Sequence, residues 1–273
     1  MKRKFVLYEV SDGIARITVN RPEVINAMSQ QVYHELDDAF TEAEKDDKVI
    51  VIVVAGAGDN FGSGHDMGSK QAKIEEARHP RDRSPLGILK DMETGIYSFP
   101  REHWRNIPKP TIAMVQGYCI MASWMIACAC DIIIASDDAK FQDKTARSWG
   151  GAQLEYPAMY LELGARKAKE YLWTGEFIDA QEALRLGIVN RVVPRERLEE
   201  ETMKLAGTIA RLDPWGLMAS KMAINQAEDI MGKSAAIRAS ANFWCMSRSR
   251  RNNEEFAAQY NVPWVKARDK EFE

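Results

Sequence analysis

Two apolar-rich runs open the chain, Phe5–Val10 and Ile14–Asn20, separated by Ser11-Asp12-Gly13. Near-alternation around a short polar turn predicts a β-hairpin. Asn20-Arg21-Pro22-Glu23 breaks the second run. Over Ser29–Asp46 the residues Val32, Leu36, Ala39, Phe40 and Ala43 fall at helical spacing and predict an amphipathic helix. Val49–Ala55 is an unbroken apolar run rich in β-branched residues, the pattern of a strand covered on both faces. Thr111–Val115 and Ile132–Ala135 repeat it, and Met121–Cys130 between them reads as a buried helix. Strand and helix thus alternate, which predicts an α/β fold with a largely parallel sheet. From Gly164 onward the pattern turns helical: Ala165–Trp173, Ala180–Leu186, Arg197–Leu212, then 216–259 with few breaks. Residues 67–107 differ, being charged and irregular around His79-Pro80 and Ser84-Pro85. They read as a mobile or partly helical insertion, of the kind that often covers a site.

Composition narrows the class. The chain has 273 residues, 45% hydrophobic and 28% charged, which excludes disorder and allows one large domain. Lys and Arg number 37 against 40 Asp and Glu, a net charge of −3, so no global basic field recruits nucleic acid. The longest apolar stretch, Ile120–Ala135, is interrupted by Ser123 and Asp131 and does not read as a membrane span. Cys119, Cys128, Cys130 and Cys245 lack zinc-ligand spacing and read as buried thiols of a reducing compartment. The expectation is a soluble cytoplasmic protein with no metal and no resident cofactor.

Two segments carry candidate chemistry. Asn60-Phe61-Gly62-Ser63-Gly64-His65-Asp66 follows the buried strand Val49–Ala55, and Gln116-Gly117-Tyr118-Cys119-Ile120-Met121-Ala122-Ser123 follows Thr111–Val115. Loops at the carboxyl ends of parallel strands are where α/β proteins place their sites, and glycine lets backbone approach a ligand closely. Two such turns on neighbouring strands can aim two N–H groups at one oxygen, the geometry of an oxyanion hole. On spacing alone, two ordinary glycine turns explain the same residues.

At these residues the chain resembles a family. Asn20-Arg21-Pro22 with Asn26-Ala27-Met28, Phe61-x-x-Gly64-His65-Asp66, Ile107-Pro108-Lys109-Pro110, Val115-Gln116-Gly117-Tyr118 and Cys130-Asp131-Ile132-Ile133 are similar to motifs of the crotonase superfamily, the enoyl-CoA hydratase/isomerase family. Leu163-Gly164-Ala165-Arg166, Leu172-Trp173-Thr174-Gly175 and Leu186-Gly187-Ile188-Val189-Asn190 extend the resemblance towards the C-terminus. It implies a spiral of ββα units over 1–198, with 67–107 as a variable insertion, and a helical trimerisation region over 199–273. It also implies a homotrimer or dimer of trimers, and an acyl-CoA thioester as ligand, with coenzyme A present as part of the substrate. The family stabilises a thioester enolate with two backbone N–H groups, which motif matching places on His65 and Ala122. Glu23, Val24, Ile25 and Ala27, with Ser63, Gly64 and Asp66, match the stretches that hold the coenzyme. Arg248, Arg250 and Arg251 form a basic cluster that could meet its phosphates, although a solvated helix face is the plainer explanation of such a charge run.

The departures decide more than the matches. Hydratases of the family use two glutamates, and the matching positions here are Met125 and Thr145, neither of which transfers protons. The small residues that open the buried helix in the family are here Met121-Ala122-Ser123. The remaining candidates for proton transfer are Asp143, Glu155 and His65. Each has a plain alternative: a turn residue, a surface carboxylate, and a residue that contributes only its amide. Phe141-Gln142-Asp143 resembles a branch that cleaves β-diketones with an aspartate assisting a histidine. Trp149 falls where the family lines its acyl pocket. The leading expectation is an enoyl-CoA hydratase/isomerase-like enzyme. The alternatives are a carbon–carbon or thioester hydrolase using Asp143, and a non-catalytic acyl-CoA-binding member.

Overall fold

The computed structural model describes residues 3–80, 82, 84, 86, 87, 90, 99–146, 156, 157 and 161–251. Strands β1 (Val6–Ser11) and β2 (Ile14–Val19) form the expected hairpin, paired from Val6↔Val19 to Ser11↔Ile14. Asp12 and Gly13 turn it with φ of 51° and 77°, the left-handed pair that two-residue hairpins require. Strand β2 then pairs in parallel with β3 (Val51–Gly56), β3 with β4 (Thr111–Val115), β4 with β6 (Ile132–Ser136), and β6 with β9 (Arg191–Val193). Every residue of β3 and β4 is buried, as their apolar runs predict. Alternation decides which face each side chain serves. Ile52 and Val54 join the cluster of helix α1 (Gln30–Lys45), which supplies Val32, Leu36, Ala39, Phe40 and Ala43. Val51, Val53 and Ala55 face the other way, onto Leu198 and Ala206 of a later helix.

Helix α1 is fixed at both ends. The Ser29 hydroxyl caps its start by accepting from the Val32 amide. Lys109 donates to the carbonyls of Ala43 and Asp46 at its end, both at 2.7 Å. Buried Glu35 accepts from the amides of Lys4, Phe5 and Val6 at 2.6–3.0 Å and so anchors the first strand.

A second layer, absent from the sequence pattern, runs beside the main sheet. Strands β5 (Tyr118–Ile120) and β7 (Lys140–Gln142) pair in parallel, and β8 (Ile178–Asp179) adds antiparallel to β7. Single parallel bridges, Gly62↔Cys119 and Met28↔His65, continue this layer in the other direction. Successive turns of the chain therefore leave one piece in the main sheet and one in the second layer, with a helix between. That is a spiral of ββα units. Strands of two or three residues carry no readable period, which is why the pattern showed only the main sheet.

Helices α2 (Lys70–Arg78) and α3 (Phe99–Asn106) bracket the insertion at 67–107; most of the residues between them lie outside the described set. Helix α4 (Ala122–Cys128) is the buried helix expected over 121–130. Helices α5 (Ala165–Thr174) and α6 (Ala180–Arg185) follow the expected spans. Helix α7 (Leu198–Ile209) covers the main sheet, so residues 199–209, grouped by sequence with the helical region, pack with the core. Helices α8 (Pro214–Ile230) and α9 (Lys233–Arg251) come next. Polar contacts fasten α8 to the core. Buried Lys221 donates to the Lys109 carbonyl at 2.9 Å and pairs with Asp131 at 2.8 Å, and Arg105 of α3 pairs with Glu228 and Asp229. Trp215, Met222, Ile224 and Ile230 of α8, and Phe243 and Met246 of α9, are exposed. Among the described residues no helix is long and apolar enough to cross a membrane.

Helix α3 is joined to α1 by a titratable clasp. His103 places Nδ1 3.1 Å from Asp37 Oδ1 and Nε2 3.2 Å from Glu44 Oε2, beside the Phe40–Trp104 stack. Only the imidazolium donates from both nitrogens, so two carboxylate partners demand the charged ring. The bond to Asp37 raises the His103 pKa, burial opposes it, and Glu44 adds to the rise. A raised folded-state pKa gives stability that is complete below the unfolded value of about 6.5 and is lost as pH rises through the folded value. Urea denaturation of His103→Gln should therefore show a larger stability deficit at about pH 5.5 than at alkaline pH above the folded-state value, where the neutral ring keeps at most one of the two bonds. A deficit independent of pH would contradict the clasp.

Candidate active site

The chain leaving β3 is bound to the chain leaving β4 by side-chain amides. Gln116 donates to the carbonyls of Gly56 and Gly58 at 2.6 and 3.1 Å, and Asn60 accepts from the Tyr118 amide at 2.9 Å. Gly117, at φ 54°, lies so close that a Cβ there would stand 2.2 Å from the Asp59 carbonyl oxygen. The two segments then run as a short parallel ladder: Phe61 N to Gln116 O at 2.7 Å, Gly62 N to Tyr118 O at 2.8 Å, and Ile120 N to Gly62 O at 2.9 Å.

This ladder delivers the two glycine turns to one another. Ser123, fully buried on α4, accepts from the Gly64 amide at 3.0 Å. A Cβ on Gly62 would stand 2.3 Å from the same hydroxyl. Gly64 has φ +90°, and a Cβ there would lie 3.0 Å from the Ile120 carbonyl oxygen and 3.3 Å from the Ala122 amide nitrogen. On the opposite edge, Met28 N donates to Gly64 O at 2.8 Å and Asp66 N to Met28 O at 3.0 Å. In a parallel ladder the residue between those two contacts turns its own N–H and C=O to the other edge. The His65 amide is therefore on the α4 side, and the amides of His65 and Ala122 flank the bare α-carbon of Gly64.

Met121 heads α4 with φ 50° and ψ −116°, a conformation that favours glycine. An L-residue there costs on the order of 1–2 kcal/mol. Its amide, donating to the Gln142 carbonyl at 2.8 Å, ties the turn to β7.

The loop at 23–27 reaches the same place. After a 3₁₀ turn at Pro22–Val24, Ile25 and Asn26 both adopt positive φ. Buried Asn26 holds this shape: its side-chain oxygen accepts from the Arg21 amide, and its nitrogen donates to the carbonyls of Ala57 and Asn60. Ser63 N donates to the Ile25 carbonyl at 2.9 Å, which sets Glu23, Val24 and Ile25 beside Ser63 and Gly64. Glu23 and Ile25 are exposed, Val24 and Ser63 are half-buried, and Ala27 is buried. Asp66 is occupied by its own neighbours. It pairs with buried Arg21 at 2.9 Å and accepts from the Ser69 amide and hydroxyl and the Gly68 amide. Burial pushes its pKa up, but the Ser69 bonds, then Arg21 and Gly68, outweigh burial and hold it below the usual carboxylate range. Asp66 thus acts as a brace for the loop.

The remaining candidates separate. Buried Asp143 closes an Asx turn: its Oδ1 accepts from the Thr145 amide at 2.7 Å and hydroxyl at 2.5 Å. Met125 and Thr145 are buried. Glu155 and Trp149 lie outside the described residues, as do the side chains of Arg248, Arg250 and Arg251. His65 is half-buried, with Nδ1 3.3 Å from the Tyr33 hydroxyl. Burial pushes the Cys130 thiol up to about 12, with Asp131 adding to the rise, and Cys119 and Cys128 are raised too. Such thiols are poor nucleophiles. Arg21, Tyr33 and Ser123 were absent from the sequence-derived site. The serine is legible afterwards as a small polar residue in an apolar run.

A model of the family described as enoyl-CoA hydratase/isomerase matches residues 9–260. The chain belongs to this family. EchA13 of Mycobacterium tuberculosis, whose name places it among enoyl-CoA hydratases, is 37% identical over 246 residues, covering 86% of this chain and 77% of that protein. A crystal structure from Mycobacterium smegmatis, described as a probable enoyl-CoA hydratase, is 40% identical with TM-score 0.81, over 89% of this chain and 94% of that one. An enoyl-CoA hydratase/isomerase from Xanthobacter autotrophicus Py2 is 30% identical with TM-score 0.78, over 98% and 99%. The crotonase-superfamily resemblance and its α/β fold are thereby established for this member of the enoyl-CoA hydratase/isomerase family.

Proposed function

We propose that the protein processes an acyl-CoA thioester by stabilising its enolate between the amides of His65 and Ala122. The carrying observation is the approach of those amides on either side of Gly64. When a base removes the α-proton, negative charge grows on the thioester oxygen. Donors fixed before reaction meet that charge without reorganising, and loss of one such donor typically costs about 10²–10³ in rate. Backbone donors tolerate changes of side chain, so this function is compatible with Met121-Ala122-Ser123 at the head of α4. The exposed loop at Glu23–Ile25 beside Ser63 is the surface that fits the pantetheine and adenine of the coenzyme.

Hydration by two carboxylates is not the reading these residues favour. Met125 and Thr145 are buried and carry no acid, and Asp143 has one oxygen committed to Thr145. The favoured reaction class is enolate formation followed by reprotonation or elimination, within an isomerase-like or lyase-like activity. Acetoacetyl-CoA, whose bound enolate absorbs in the near ultraviolet, tests the site directly. The wild type should bind it and show the enolate band. Gly64→Ala places a methyl group between the amides and should weaken binding by at least about 100-fold, the loss expected when a donor pair is blocked. No binding to the wild type, or equal binding to both, would remove the proposal.

The exposed apolar side chains of α8 and α9 support assembly of identical chains, since large apolar side chains exposed on neighbouring helices often mark an interface. Sedimentation should give the mass of three chains or a multiple of three, and Trp215→Glu with Met222→Glu should lower it. A wild-type monomer would contradict this assembly.

A further inference from the structure

Ser123 deepens the enolate reading, and the role inferred for it rests on that reading. Each of the two donor amides has fixed neighbours. His65 lies between Gly64, whose carbonyl accepts from Met28 N at 2.8 Å, and Asp66, whose amide donates to Met28 O at 3.0 Å. A trans peptide is planar with its C=O and N–H opposed, so the bond from Met28 to the Gly64 carbonyl turns the His65 N–H away from Met28. Ala122 lies between Met121, whose amide donates to Gln142 O at 2.8 Å, and Ser123. The ladder between the two segments reaches Ile120 N to Gly62 O, before either donor. Past that rung, the Gly64 amide donates to Ser123 Oγ at 3.0 Å. This bond runs from the residue before one donor to the residue after the other.

We propose that Ser123 is the positioning residue of the amide pair: by holding Gly64 N, its hydroxyl sets the separation of the His65 and Ala122 amides, and so how firmly both hold one thioester oxygen. The amides of Phe61, Gly62 and Ser63 donate to the backbone carbonyls of Gln116, Tyr118 and Ile25, whereas that of Gly64 donates to a side chain. Ser123 is fully buried, so solvent does not compete for its hydroxyl. The hydroxyl is also confined against the bare α-carbon of Gly62, where a Cβ would stand 2.3 Å from Oγ and 2.9 Å from Ser123 Cβ. A buried N–H without an acceptor is costly, which keeps the peptide ahead of Gly64 turned towards α4. Glycine rotates readily about φ, so without this bond the φ of +90° at Gly64 loses its restraint and the His65 amide shifts relative to that of Ala122.

The test compares acetoacetyl-CoA, which carries the thioester carbonyl, with coenzyme A itself, which lacks it. The wild type should bind both. Ser123→Ala removes the acceptor and adds no bulk. It should bind coenzyme A within about threefold of the wild type but acetoacetyl-CoA about tenfold more weakly, because a misplaced donor costs less than the ~10²–10³ of a lost one. The enolate band of the bound acetoacetyl-CoA should shift in the same variant, a change that a merely structural role would not produce. In the unaltered protein without ligand, hydrogen exchange followed by NMR should find the Gly64 amide protected, as a buried bonded amide is. Equal weakening of both ligands in Ser123→Ala, unchanged affinity with an unshifted band, or rapid exchange of the Gly64 amide in the wild type would overturn the assignment. Failure of the wild type to bind acetoacetyl-CoA would instead remove the enolate reading, and this role with it.

Discussion

The structure depends on a close backbone approach at Gly64. The segment 61–64 has to lie against 116–122 tightly enough that side chains at 62, 64 and 117 would collide with it. Three glycines permit the contact, and the hydroxyl of Ser123 and the amides of Gln116 and Asn60 hold it. The approach is a constraint of folding before it is a feature of chemistry. It aligns successive turns of the spiral, and in doing so it leaves two amides from distant parts of the chain side by side. The proposed oxyanion site, made of backbone, would thus rest on the same contacts that stack the layers.

The motifs that carry the family resemblance serve mainly as joints of that spiral. Asn26 shapes the loop after β2 and ties it to the loop after β3. Lys109 caps α1, and its own carbonyl receives Lys221 from α8. Asp131 accepts from the amide and hydroxyl of Thr111, fastening the start of β6 to the start of β4. Arg21 and Asp66 form a buried ion pair, an arrangement whose removal by halves is costly because it strands a charge. A motif match in this fold therefore reports architecture more securely than reaction. The positions that match the family's glutamates, Met125 and Thr145, carry no acid, so the motif matches do not by themselves specify the reaction.

The main sheet was legible because Val51–Gly56 and Thr111–Val115 are apolar on both faces, and α1 because its apolar residues repeat at helical spacing. The second layer was not legible. Its strands are two or three residues long, and their pairing is fixed by turns whose partners lie some sixty residues away, as in Gly62 with Cys119. The site divided along the same line. The pairing of His65 with Ala122 was an expectation drawn from motif and strand order. Ser123 under Gly64 and Tyr33 against His65 are tertiary contacts between residues that read locally as core. Asp66 and Asp143 were chosen as chemical residues because they are acids on the right loops. Their surroundings show carboxylates engaged by neighbouring amides, hydroxyls and, for Asp66, a guanidinium.

The central claim is that two amides, one from each turn, receive the carbonyl oxygen of a thioester. Infrared difference spectroscopy of an acyl-CoA carrying ¹³C and ¹²C at that carbonyl reads the bond itself. A carbonyl held by His65 and Ala122 is polarised, so its isotope-sensitive band should move to lower frequency on binding and move back in Gly64→Ala. A bound thioester whose carbonyl band matches that of the free molecule in water would contradict the account.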